Sequence, residues 1–205
     1  KYRITYPNIV AFDNVHPAFE KAGHYFNIEI RKIKIKNHYQ WESYSSEKVC
    51  SVIKSFVDSN TILLVGSAPS YPHGLVDSIV EIGKVAAERN IGFHVDACMG
   101  GFLIPFLDRF KYINFELPGV TSISVDTHKY GYSLKGSSVL LFKNPQIKKF
   151  QHYINKNWSG GVYATPTLMG SKSGGIIAST WASLLYIGYN NYKEYATNIQ
   201  ENLIF

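Results

Sequence analysis

The stretch SISVDTHKYGYSLKGSSVLLF, residues 122–142, holds two short strand-like runs, SISVD ending on Asp126 and SVLLF, joined by a segment that opens on Thr127, His128 and Lys129. Each run has the length and β-branched content of a strand. Only residues 127–137 lie between them, and a crossover to a parallel neighbour needs a dozen or more. The pair is therefore expected to be antiparallel. Upstream the pattern differs. The apolar runs IVAF (9–12), NIEIRKIKI (27–35), TILLVGS (61–67) and GFHVDA (92–97) alternate with stretches of helical period at 16–25, 46–57 and 76–89, the last placing Ile79, Ile82, Val85 and Ala86 on one side. Strand and helix in alternation predict an α/β fold: a mostly parallel sheet with helices on both faces and one antiparallel strand.

Downstream of Phe142 the chain turns aromatic and Gly-rich over 151–175 and then reads as a helix from about Ile176 to the end. So long a stretch without structure of its own is expected to be a functional loop. No repeat and no internal domain boundary is visible, and neither end closes on a cap or turn, so the 205 residues read as the central part of a larger domain.

Composition narrows the classes. At 45% hydrophobic and 15% aromatic the chain has the apolar content of a folded core, which excludes disorder. No run of 18 apolar residues and no signal peptide is present. Cys50 and Cys98 cannot form a disulfide framework, and the seven histidines show no metal-ligand spacing, so a reduced, cytosol-like setting without a metal is expected. The net charge of +6 is spread out, with one cluster at Arg31, Lys32, Lys34 and Lys36. There the isoleucines at 28, 30, 33 and 35 alternate with charge, as on a half-exposed edge strand, and not as on a nucleic-acid surface. An anionic small substrate suits this mild basicity better.

Ligands of open α/β sheets sit at the carboxyl ends of the strands. The polar residues ending the strands here are Ser67, Asp96 and the Asp126–Lys129 segment. A desolvated lysine with a lowered pKa forms a Schiff base readily, and a nearby carboxylate keeps the nitrogen of a pyridine-ring cofactor protonated. Taken alone, a strand-end aspartate is commonly a cap and a lysine commonly solvated. The combination points to Lys129 and Asp96.

Four segments carry a resemblance: SISVDTHKYGYSLKGSSVLLF, HPAFEKAGHYF (16–26), GSAPSYPHGLVDSI (66–79) with HVDACMGGFLIPF (94–106), and WSGGVYATPTLMGSKSGG (158–175). Together they resemble, in order and almost end to end, the pyridoxal-phosphate-dependent group II decarboxylase family. The last is similar to the members that cleave phosphorylated sphingoid bases and unlike general amino-acid decarboxylases. The resemblance implies the large domain of a fold type I, transferase-like enzyme, with a phosphate-loop region before this chain and a small domain after it. It implies pyridoxal 5'-phosphate on Lys129, Asp96 at the ring nitrogen, His16 stacked on the ring, and His128 and Ser67 beside the cofactor, with His73 near them. It also implies Lys135 or Tyr163 as proton carrier and Ser171 and Lys172 for the substrate phosphate. The activity implied is carbon–carbon bond cleavage by a retro-aldol step, giving a fatty aldehyde and phosphoethanolamine. The implied assembly is an obligate homodimer with shared active sites. The implied location is the cytoplasmic side, at the endoplasmic reticulum membrane where a preceding segment anchors it. An amino-acid decarboxylase and a non-catalytic scaffold are the alternatives. Where the family reads Gly-Ser-Arg-Pro-Gly-Gly this chain has Gly-Ser-Lys-Ser-Gly-Gly at 170–175, exchanging a bidentate phosphate ligand for a point charge.

Overall fold

Five consecutive buried residues, Asn8–Phe12, form strand β1, as a strand covered on both faces requires. In the computed structural model, which describes residues 4–34 and 44–202, the chain then alternates. Helix α1 (Ala18–Phe26) leads to β2 (Glu29–Ile33), α2 (Ser46–Phe56) to β3 (Thr61–Ser67), and α3 (Ile79–Arg89) to β4 (Gly92–Asp96). Two 3₁₀ turns at 100–106 precede β5 (Val120–Val125) and β6 (Val139–Phe142). The strands form one sheet in the order β2-β1-β3-β4-β5-β6, parallel except for β6, which pairs antiparallel with β5 as expected from the short connection.

Local signals explain the helix limits. Ser45 accepts a hydrogen bond from Lys48 N at the start of α2. Asn27 and Asn90 end α1 and α3 in the left-handed region, φ 53° and 52°, where asparagine is tolerated. α3 begins three residues later than the apolar period suggests, because Asp77 is tied to β3: its N–H donates to Ser67 O and its carboxylate accepts from Ser67 N. The main core lies between the sheet and α2 and α3, with Phe12, Ile53, Leu64, Val85 and Phe93 fully buried. A smaller cluster, Ile9, Ala11, Val15 and Val65 with Phe19, lies on the opposite face under α1.

β2 is the sheet edge, as its pattern implies, and its basic residues are spent on ion pairs: Arg31 with Glu29 (2.9 Å) and Asp58 (2.7 Å), Lys32 with Glu20 (2.6 Å). Ile35 and Lys36 lie outside the described residues.

Beyond β6 the expectation of a structureless 151–175 is corrected. After a short helix α4 (Pro145–Lys148), strands β7 (Tyr153–Trp158) and β8 (Gly161–Thr165) make a separate antiparallel hairpin, turning where Gly161 takes φ 104°. The Ser-Gly-Gly turn and the strand formers on either side of it were the signal. Helix α5 (Gly174–Glu201) follows, interrupted at Gly188, where φ is 71° and ψ 166°. Among the described residues no helix is long and apolar enough to cross a membrane.

Candidate active site

Along β4 and β5 the side chains alternate between the two faces of the sheet. Phe93, Val95 and Ile123 enter the main core, and His94, Asp96, Ser122 and Ser124 line a cavity of about 530 Å³ on the face that carries α1. The neighbouring register sets Asp96 against Ser67 on one side and Ser124 on the other. His16 enters from the β1–α1 turn, and Cys98, Asp126, Lys129 and Ser138 close the opposite wall.

Asp96 is buried, 7% exposed, and its Oδ1 accepts from Ser124 Oγ (2.9 Å) and Cys98 N (3.1 Å). Lys129 Nζ lies 2.9 Å from Asp126 Oδ2, and Ser138 Oγ donates to Asp126 Oδ1 at 2.6 Å. Burial alone pulls the Lys129 pKa down, but the bonds to Asp126 and Cys98 outweigh it and hold the ammonium above the usual lysine range. The sequence argument expected a lowered value; the carboxylate three residues before the lysine reverses the sign. Burial, with the Asp96 charge behind it, pushes the Cys98 thiol up to about 11, so it stays protonated.

Of the residues singled out in the sequence, Lys129, Asp96 and His16 share this cavity. The His16 ring also accepts from the N–H of Ala18 (3.1 Å), the first residue of α1. His128 stands beside it, with Nδ1 against Ser137 O and Nε2 3.8 Å from Asp126. Ser67 is buried next to Asp77 and does not line the cavity. His73 is exposed on the β3–α3 loop. Lys135 is exposed on the β5–β6 turn, and Tyr163 stacks edge-on with Tyr153 and Trp158 on the hairpin. The structure brings neither proposed proton carrier to the cavity. Ser171 is exposed, and Lys172 lines a second groove, of about 390 Å³, with Ile176, Ile177 and Trp181. That groove adjoins the first across Ser138 and Val139.

Sequence reasoning missed His94, Ser122 and Ser124. The signal was present: a central strand buried on both faces reads as continuous apolar residues, whereas GFHVD and TSISV put a polar residue at every second position, on the face that lines the cavity.

This donor set fits pyridoxal phosphate: an amine for the aldehyde and a buried, doubly hydrogen-bonded carboxylate for the ring nitrogen line one cavity beside an imidazole. Comparison with known proteins agrees. Sphingosine-1-phosphate lyase 1 of Rattus norvegicus is 45% identical over 193 residues, 92% of this chain and 33% of the rat protein. The sphingosine-1-phosphate lyase of Dictyostelium discoideum is 42% identical, over 98% of this chain and 38% of its own length. The chain thus spans about a third of these relatives. The solved sphingosine-1-phosphate lyase of Burkholderia pseudomallei superposes with a TM-score of 0.85 at 39% identity, over 95% of this chain and 44% of that one, so the fold is that of fold type I pyridoxal-phosphate enzymes. The model of the pyridoxal-dependent decarboxylase conserved domain matches residues 4–203, and the chain belongs to that family.

Proposed function

We propose that the protein to which this chain belongs cleaves a phosphorylated sphingoid base between C2 and C3, releasing a fatty aldehyde and phosphoethanolamine. The observation that carries the reading is that Lys129 and Asp96 line one cavity, in a chain whose relatives are sphingosine-1-phosphate lyases along its length. Residues 1–205 are then the central part of the large domain, which accords with their covering a third of the rat enzyme.

When bound, pyridoxal phosphate supplies an aldehyde for the substrate amine and a ring that accepts the electron pair of the broken bond. The chain supplies the rest. Lys129 Nζ is the point of covalent attachment, oriented by Asp126 at 2.9 Å. Asp96, with Oδ1 held by two donors, keeps a proton on the ring nitrogen through a charge-assisted hydrogen bond. His16, which lines the cavity, would cover the ring face. An amphiphile is favoured over an amino acid because the cavity adjoins, across Ser138 and Val139, a groove walled by Ile176, Ile177, Trp181 and Leu184. Ser171 and Lys172 are the phosphate-binding pair of the reading. A homodimer fits the exposed apolar side chains of the hairpin, the link after it and α5, among them Trp158, Val162, Leu168, Trp181 and Tyr186. A location on the cytoplasmic side of the endoplasmic reticulum goes with the same reading and is checked by protease protection in intact microsomes.

The test is borohydride reduction of the cofactor-loaded protein followed by peptide mapping. The label is expected on Lys129; a label on another lysine, or none, ends the assignment.

A further inference from the structure

His94 is a buried imidazole, 9% exposed, on the cavity side of β4, and no step above uses it. Both ring nitrogens are engaged: Nδ1 lies 2.9 Å from Ser122 Oγ and Nε2 3.2 Å from Ser124 Oγ. Ser124 Oγ in turn donates to Asp96 Oδ1 at 2.9 Å. A hydroxyl has one proton, and that of Ser124 goes to the carboxylate, so its oxygen must accept from His94 Nε2–H. Nδ1 then carries no proton and accepts from Ser122. Burial lowers the His94 pKa, against the pull of the Asp96 charge, which keeps the ring in this neutral form. The chain Ser122–His94–Ser124–Asp96 therefore runs in one direction, each hydroxyl and ring N–H donating toward the carboxylate.

We propose that His94 is a positioning residue of the reaction, whose imidazole fixes the Ser124 hydroxyl as a donor to Asp96 and thereby sets the orientation of that carboxylate toward the cofactor nitrogen. The geometry has a specific consequence. Ser124 and Cys98 N both bind Oδ1, so the carboxylate plane is fixed by one oxygen while the other is aimed by the rigidity of the first. Without His94 the Ser124 hydroxyl rotates freely and its bond to Asp96 becomes one option among several. Outer partners of this kind fix the tautomer and orientation of the groups that touch a bound centre. The proposal rests on the assignment of Asp96 to the ring nitrogen.

The experiment uses the full-length protein loaded with pyridoxal phosphate and follows two quantities, kcat against KM and the rate of cofactor release by the decay of visible absorbance. His94→Phe keeps the ring volume and removes both hydrogen bonds. Ser124→Ala removes one hydroxyl and leaves His94. Each is expected to lower kcat about tenfold and to speed cofactor release, with little change in KM, the size of effect such outer partners carry. The double variant is expected to match either single one, because both cut the same chain. His94→Gln, which keeps a donor and an acceptor, is expected to recover most of the loss. Additive effects in the double variant, or wild-type kcat and release in Ser124→Ala, would overturn the proposal. If His94→Phe does not fold, Ser124→Ala and His94→Gln still decide it. Asp96→Asn separates the two levels: if that variant keeps wild-type kcat and release, the Asp96 assignment itself has failed, whereas a strong Asp96→Asn effect with a silent Ser124→Ala sinks only the role of His94.

Discussion

Asp77 shows how one side chain can set both a boundary and a pH response. Its carboxylate is buried, accepts from Asn14 Nδ2 (3.0 Å) and Ser67 N (2.7 Å), and so ties the turn that carries His16 to the end of β3. Burial raises its pKa from 3.8 to about 6, against the opposing pull of these hydrogen bonds. With the folded value above the unfolded one, the native state holds the proton more tightly, so stability falls as pH rises from about 4 to 6 and is level above that. The cost of the buried charge is on the order of 3 kcal/mol. Asp77→Asn removes the titration, so the melting temperature of the wild type is expected to drop relative to the variant across that interval. A difference between the two that does not change with pH would show that the carboxylate is not buried as a charge. At Asp96 the prediction concerns turnover and follows from its proposed place at the ring nitrogen: an amide cannot balance a pyridinium, and Asp96→Asn is expected to lose on the order of a thousandfold in kcat, checked by steady-state kinetics on cofactor-replete protein. That Lys129 and Asp96 would meet at one site was legible in the sequence from residue type and strand-end position, and both line one cavity, whereas the roles proposed for them come from the resemblance. Asp77, His94 and Ser124 were not singled out, since their roles depend on neighbours in space, with His94 and Ser124 meeting 30 residues apart along the chain.

Elements were read more fully than their joints. The parallel strands, the antiparallel β6 and the apolar face of α3 follow from period and connection length, which need no tertiary information. The hairpin β7–β8 escaped because much of it is solvent-exposed, so the alternation of apolar and polar residues that marks a half-buried strand is blurred. The docking of α5 also lies beyond sequence. Tyr192, 5% exposed, donates from Oη to Gly131 O at 2.7 Å and packs its ring on Phe102 with centroids 5.2 Å apart. The second half of the helix thus braces the segment two residues past Lys129. Tyr192→Phe leaves the Gly131 carbonyl without its donor and is expected to cost about 1–2 kcal/mol, measured as a lower urea midpoint with an unchanged slope.

For the whole molecule, the proposed dimer makes a prediction that contacts within one chain do not. The link between β8 and α5, which carries Lys172, is proposed to complete the partner's site, so Lys129→Ala and Lys172→Ala subunits, each inactive alone, should complement when mixed under exchange. In a heterodimer one site collects both lesions and the other none, so about half of the dimers recover one working site on equal mixing. Exchange shown by mass with no recovered activity would mean that Lys172 serves its own subunit, beside Ser138. The exposed half of α5 meets the docked half at Gly188, whose φ of 71° and ψ of 166° belong to a region that residues with a side chain avoid. A β-carbon built there would touch nothing within 4 Å, so the bend is not held by crowding. What residue 188 requires is a matter of handedness: L-alanine is penalised by its own backbone, while D-alanine, for which the same angles mirror an ordinary extended conformation, fits. A semisynthetic protein carrying D-alanine at this position should keep the bend and the stability that its L-enantiomer loses.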